Sequence, residues 1–139
     1  MELIANALQT INAGENVQFT DEVVSGCNSI LHRAGSGLIT LRGITNQCRA
    51  RFKVFFSGNI AIPAGGTVEA ISIAISVNGE AIASTTMIQT PAAVEEFANV
   101  ASAAYIDVPA GCCISVAVRN TSTQDVDVQN ANLIIERVA

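Results

Sequence analysis

Few residues in this chain have both the type and the spacing to do chemistry. His32 is the only histidine, and a hydrolytic centre would need it beside a nucleophile and a group that orients it. Ser29, Ser36 and Asp21 lie near it in sequence, but no G-x-S-x-G elbow frames any of them, so His32 is expected at the surface or capping a turn. Ala34-Gly35-Ser36-Gly37 lacks the GK[ST] ending and following helix of a phosphate loop, and is read as a turn. Glu95 and Glu96 are adjacent, which sends them to different faces of a strand; a solvated turn is expected rather than a glycosidase pair. Asp125 and Asp127, with Asn130 and Asn132, invite calcium, yet their spacing matches no EF-hand loop, and ordinary polar exposure is expected. With no Trp and a single Tyr, Tyr105, aromatic platforms for sugars are scarce.

The four cysteines, Cys27, Cys48, Cys112 and Cys113, have no C-x-x-C spacing and no companion histidine beyond His32, which argues against zinc. Cys112 and Cys113 are neighbours that point to opposite faces of a strand and cannot easily pair with each other. They are expected as buried free thiols acting as small hydrophobes, not as disulfides. No catalytic residue, no metal ligand and no cofactor is therefore assigned, and an enzyme is not expected.

The elements that would position any site show period two. Ile71, Ile73, Ile75 and Val77 alternate with Ser72, Ala74 and Ser76, as in a half-buried strand. Asn78-Gly79 follows, the favoured pair for a type I′ hairpin turn, and Glu80 to Ile88 resumes in strand register. Arg49 to Ser57 sets Phe52, Val54 and Phe56 against Arg51, Lys53 and Phe55, so Phe55 looks outward. Further strands are expected at Val17 to Thr20, Leu38 to Arg42, Cys113 to Arg119 and Val126 to Val138, with one from about Phe97 ending at Pro109. Thr90 to Phe97 is given at most one helical turn. Seven to nine strands without intervening helices make an all-β protein, an antiparallel two-sheet sandwich. Residues 15–139 form a single domain behind a short arm, Met1 to Gly14.

Composition narrows the function. The chain has 139 residues, 50% hydrophobic but only 14% charged, against roughly 25% charged in ordinary soluble domains. So small and neutral a surface leaves patches that another molecule is expected to cover, most simply another copy. A net charge of −5 has the wrong sign for nucleic acid. The cluster of Arg42, Arg49, Arg51 and Lys53 is read as local and structural. No long apolar run spans a membrane and no signal-peptide pattern opens the chain, so a soluble protein made in a cytoplasm is expected.

Five blocks in order carry a resemblance: Ser36 to Gly43, Cys48 to Phe56, Ile73 to Ile82, Tyr105 to Gly111 and Val128 to Ile135. Over about Asn16 to Ala139 the chain resembles the TNF/C1q-like jelly rolls of small bacterial and phage structural proteins, including ones encoded among prophage head genes. The resemblance implies a jelly roll that forms a homotrimer, one sheet of each copy facing the threefold axis and carrying the first, third and last strands. By position it makes Phe55, Tyr105 and Ile135 interface candidates, with Arg51 and Lys53 beside them. It implies a phage capsid decoration protein on the virion surface, with the major capsid protein as partner, and Met1, Leu3, Ile4 and Leu8 of the arm are the docking candidates. A fibre tip reading host glycans through Thr90 to Ala98 or Asn120 to Asp125 is the alternative.

Overall fold

A computed structural model describes residues 1–139. It is all β: β1 (Glu2–Ala5), β2 (Gln9–Ile11), β3 (Asp21–Val24), β4 (Ile30–His32), β5 (Ile39–Arg42), β6 (Arg49–Ala61), β7 (Ile71–Val77), β8 (Glu80–Ala81), β9 (Met87–Gln89), β10 (Ala98–Pro109), β11 (Cys113–Asn120) and β12 (Val126–Arg137). One antiparallel sheet runs β10-β6-β12-β1-β3, with β2 also on β12; the other runs β4-β5-β11-β7-β8, with β9 also on β7. This is the expected two-layer jelly roll.

Alternation explains the layers. Phe52, Val54, Phe56 and Ile60 of β6 meet Ile71, Ile73 and Ile75 of β7 and Val116 and Val118 of β11 in one core, all fully buried. Each such side chain contributes roughly 1.5–3 kcal/mol by leaving water. The Asn78-Gly79 turn has both residues at positive φ, +51° and +83°, as a type I′ hairpin requires. Gly43 is needed for a different reason. A Cβ there would fall 2.1 Å from the Pro109 carbonyl oxygen, because the turn after β5 lies directly on the end of β10.

Three expectations are corrected. Met1 to Gly14 is not an arm: β1 is an interior strand paired with β12 and β3, and β2 pairs with β12. Leu3 and Ala5 fill the core, an alternation too short to stand out within four residues. The strand from Glu80 to Ile88 is interrupted by a 3-10 turn, Ala83–Thr85, where the Thr85 hydroxyl takes a place in the ladder; it accepts from Ile75 N at 3.0 Å and donates to Ile82 O at 2.7 Å. Thr90 to Phe97 stays within the single helical turn allowed it: it is bend and turn without helix, and Glu95 there adopts φ +61°. Val17 to Thr20 is not a strand, although Val17 N donates to Val118 O at 2.8 Å and Phe19 is buried.

Candidate functional site: the outer face of the long sheet

The long sheet turns one face away from the core, and its strand register places the side chains in rows. Ala103 of β10 stands opposite Phe55 of β6, Phe55 opposite Ile134 of β12, and Ile134 opposite Glu2 of β1. The next row toward one end is Ala101, Ser57, Asn132 and Ile4, and toward the other it is Tyr105, Lys53 and Glu136. Beyond these, Asp107 faces Arg51. Tyr105 is 67% exposed and Ile134 38%, while Phe55 is half-buried by its row neighbours. An apolar row of Ala103, Phe55 and Ile134, extended by Ala101 and Tyr105, thus crosses the face, flanked by Ser57 and Asn132 on one side and by Lys53 and Glu136 on the other.

The two ends of the face are fixed by hydrogen bonds. At one, Asn99 Nδ2 donates to Asn59 Oδ1 at 3.2 Å, and Asn59 Nδ2 donates to Asn130 Oδ1 at 3.4 Å. At the other, Arg51 grips Asp107 with two bonds, Nε to Oδ1 at 2.7 Å and Nη2 to Oδ2 at 3.0 Å, and Arg49 Nε lies 3.5 Å from Asp107 Oδ2. The Arg51 hydrogen bond lowers the Asp107 carboxyl below its ordinary 3.8 despite the opposing effect of desolvation, and the same bond raises the Arg51 guanidinium. A depressed carboxylate stabilises the fold above its unfolded pKa, and that contribution is lost as pH falls through the folded value. Being exposed, the pair contributes little and is screened by salt. In an NMR titration the Asp107 carboxyl should have its midpoint below 3.8 and move upward in Arg51→Ala.

Phe55, Tyr105, Arg51 and Lys53 all lie on this face, but Ile135 does not: it is fully buried, and Ile134 stands where it was expected. The cause is a bulge. Val126 and Val128 point inward, then Asn130 adopts φ +55° and one extra residue is inserted opposite β6, so the inward set becomes Ala131, Leu133 and Ile135. Asn130 is one of three non-glycine residues at positive φ, and asparagine enters that region most readily, so Gln129-Asn130 was the available signal.

The N-terminal docking candidates divide similarly. Leu3 is buried in the core, which removes it from any surface role. Met1 is half-buried, with its ammonium donating to Ile135 O at 2.7 Å. Ile4 belongs to the outer sheet face, and Leu8, 54% exposed, lies in the β1–β2 connection.

Of the residues weighed for catalysis, His32 and Ser36 are brought together, but through backbone. His32 Nε2 lies 2.9 Å from Ser36 O, a bond to backbone of the capping kind, while the buried Ser29 hydroxyl accepts from Arg137 Nη1 at 3.1 Å. At the far end of the sandwich an open recess of about 700 Å³ is lined by Thr10, Glu95, Gln124, Asp125 and Asp127 among others, so the two candidate glycan loops do adjoin each other. Asp127 corrects the expectation of exposure: it is only 7% exposed, covered by β2, and accepts from Thr10 Oγ1 at 2.7 Å. No three acidic, histidine or cysteine side chains come together to hold a metal ion. The cysteines correct another expectation, since all four are exposed and free.

No family model and no curated protein matches the chain. Solved structures do. The Eiger TNF of S. frugiperda superposes with a TM-score of 0.69 at 14% identity, over 100% of this chain and 92% of that one. The fold is the TNF/C1q-like jelly roll. The globular domain of zebrafish complement 1qA agrees, with a TM-score of 0.58 at 11% identity over 96% of this chain and 93% of that one. A CBM35 module of Cellvibrio japonicus Abf62 superposes much more loosely, with a TM-score of 0.40 at 8% identity, covering 100% of this chain and 98% of that one. Within the jelly roll, the face described above belongs to the sheet that carries both the first and the last strand.

Proposed function

We propose that this chain is a non-enzymatic structural protein that acts as a homotrimer and decorates the outer surface of a phage head, with the major capsid protein as its partner. The observation that carries the trimer is the apolar row across the long sheet's outer face, where Phe55 and Ile134 lie side by side and Tyr105 stands 67% exposed next to them. Ala101 and Ala103 leave room on the edge strand for side chains of a second copy. Such a face costs free energy in water and gains by self-association. The capsid location is supported by the resemblance of the strand blocks to prophage head proteins and by the acidic charge, which suits a surface turned away from packaged DNA. Of the N-terminal docking candidates, Leu8 is the most exposed.

Sedimentation velocity of the chain in a reducing buffer should give a mass of three chains at micromolar concentration, and mixing with undecorated phage heads should carry the trimer into the head fraction. A single-chain mass would remove the trimer; a three-chain particle that leaves heads bare would remove the capsid partner.

A further inference from the structure

The two ends of the sandwich differ in chemistry. At the recess end the loops carry Glu15, Glu69, Glu95, Glu96 and Asp125, with Asp127 at the start of β12 beside them. The opposite end carries Arg42, Arg49, Arg51 and Arg137, four of the seven cationic side chains, and all four cysteines.

Backbone hydrogen bonds bring the thiols there. Ala110 N donates to Cys48 O at 3.1 Å, Gly43 N to Cys112 O at 2.8 Å, and Ile30 N to Cys27 O at 3.1 Å. Cys113 pairs with Arg42 in the β11–β5 ladder, and Arg42 N in turn donates to Ser29 O at 2.8 Å. Three loops are therefore tied into one surface bearing Cys27, Cys48, Cys112 and Cys113, every one exposed. Cysteine is among the residue types most often fully buried, so four exposed thiols gathered at one end serve no packing purpose. No metal-binding group of three forms among them, and Cys112 and Cys113, adjacent in sequence, cannot easily close on each other.

We propose that this end is a redox-operated joint, at which cysteines of one copy form disulfides with those of a second copy. The placement of neighbouring copies rests on the trimer reading, in which three such ends lie together at one end of the particle. The oxidant is a low-molecular-weight disulfide such as oxidised glutathione. A protein thiol loses its proton and its sulfur attacks one sulfur of the reagent; the reagent's S–S bond breaks and one glutathione thiolate leaves. A thiolate of the second copy then attacks the mixed disulfide, forms the Cys–Cys bond and expels the second glutathione. Two protein thiols have lost two protons and two electrons, and the reagent has been reduced to two thiols. A glutathione-reducing compartment keeps the joint open and an oxidising one closes it.

The test treats the full chain, at low micromolar concentration, with oxidised glutathione, and reads it by denaturing non-reducing electrophoresis and peptide mass spectrometry. Covalent dimers and trimers should replace the single-chain band, return to it with dithiothreitol, and be absent when Cys27→Ser, Cys48→Ser, Cys112→Ser and Cys113→Ser are combined. Because these side chains lie outside the core, that variant should keep the parent's circular dichroism and its sedimentation mass in reductant. A persistent single-chain band, whether carrying glutathione or disulfides within one chain, overturns the joint. A single-chain mass in reductant together with covalent multimers on oxidation leaves the joint standing and removes the trimer reading; the reverse pattern does the opposite.

Discussion

In the proposed trimer, Ala103→Arg should turn a three-chain particle into a folded single chain. Ala103 is exposed on β10, the edge strand of the long sheet, directly opposite Phe55. In an isolated chain the new side chain would extend into water, and exposed substitutions of this kind usually change stability by no more than about 0.5 kcal/mol. Around a threefold axis the same guanidinium would be driven three times into the apolar row made by Phe55, Ile134 and Tyr105. Asp107 on the same strand is already held by Arg51 through both oxygens, Glu2 at the far end of the Ala103 row accepts from Asn132 Nδ2 at 2.7 Å, and Glu136 faces Lys53. An unpaired charge buried at an interface costs several kcal/mol, so dissociation should be complete at micromolar concentration. Sedimentation velocity reads the mass and a thermal melt reads the fold. If Ala103→Arg still sediments as three chains, the outer face of this sheet is not where copies meet.

The contrast between the two faces shows how far period two could be read and where it stopped. Ile71, Ile73, Ile75 and the Asn78-Gly79 turn identified a hairpin because their signals are local: side chains alternate over seven residues, and a turn type demands two positive φ angles. Phe55 was placed outward by the same rule, since Arg51 to Ser57 runs without a bulge. Ile135 failed because one extra residue at Asn130 reverses every side chain after it, and the hydrophobic run Leu133-Ile134-Ile135 gives no sign of which member moves out. β1 to β4 are three or four residues each, too short for alternation to rise above chance, and they are held by partners more than a hundred residues away in the case of β1 and β2.

The cysteines were misread for a different reason. Composition supports burial for an isolated cysteine, but exposure depends on which loops the fold gathers at one end. That Cys27, Cys48 and the Cys112-Cys113 pair meet there follows only from the β4–β5, β6–β10 and β5–β11 pairings. The arginines follow the same logic. A run from Arg42 to Lys53 spans the turn between a strand of one sheet and a strand of the other, so its charge collects at that end of the sandwich and around the rim of the outer face.

Phe56→Ala should remove much of the stability of the fold, while Phe55→Ala, one residue away, should remove much less. Phe56 is fully buried, and its ring meets that of Phe19 edge to face at 6.5 Å and 73°. Gly58 also lies against it: a Cβ on that glycine would be 3.1 Å from Phe56 Cζ. Truncating a packed phenylalanine costs about 3–5 kcal/mol through lost transfer free energy and the cavity left behind, against a total of about 5–15 kcal/mol for a domain. Phe19 keeps its place through backbone bonds to Ser36 O and Gly35 N, so its ring cannot readily move in to fill the cavity. Urea unfolding in reductant, with Phe56→Ala and Phe55→Ala compared on the single-chain background of Ala103→Arg, separates folding from assembly. A Phe56→Ala midpoint equal to that of Phe55→Ala would mean that the inward and outward faces of β6 are not as described, and the assignment of the outer face would fall with them.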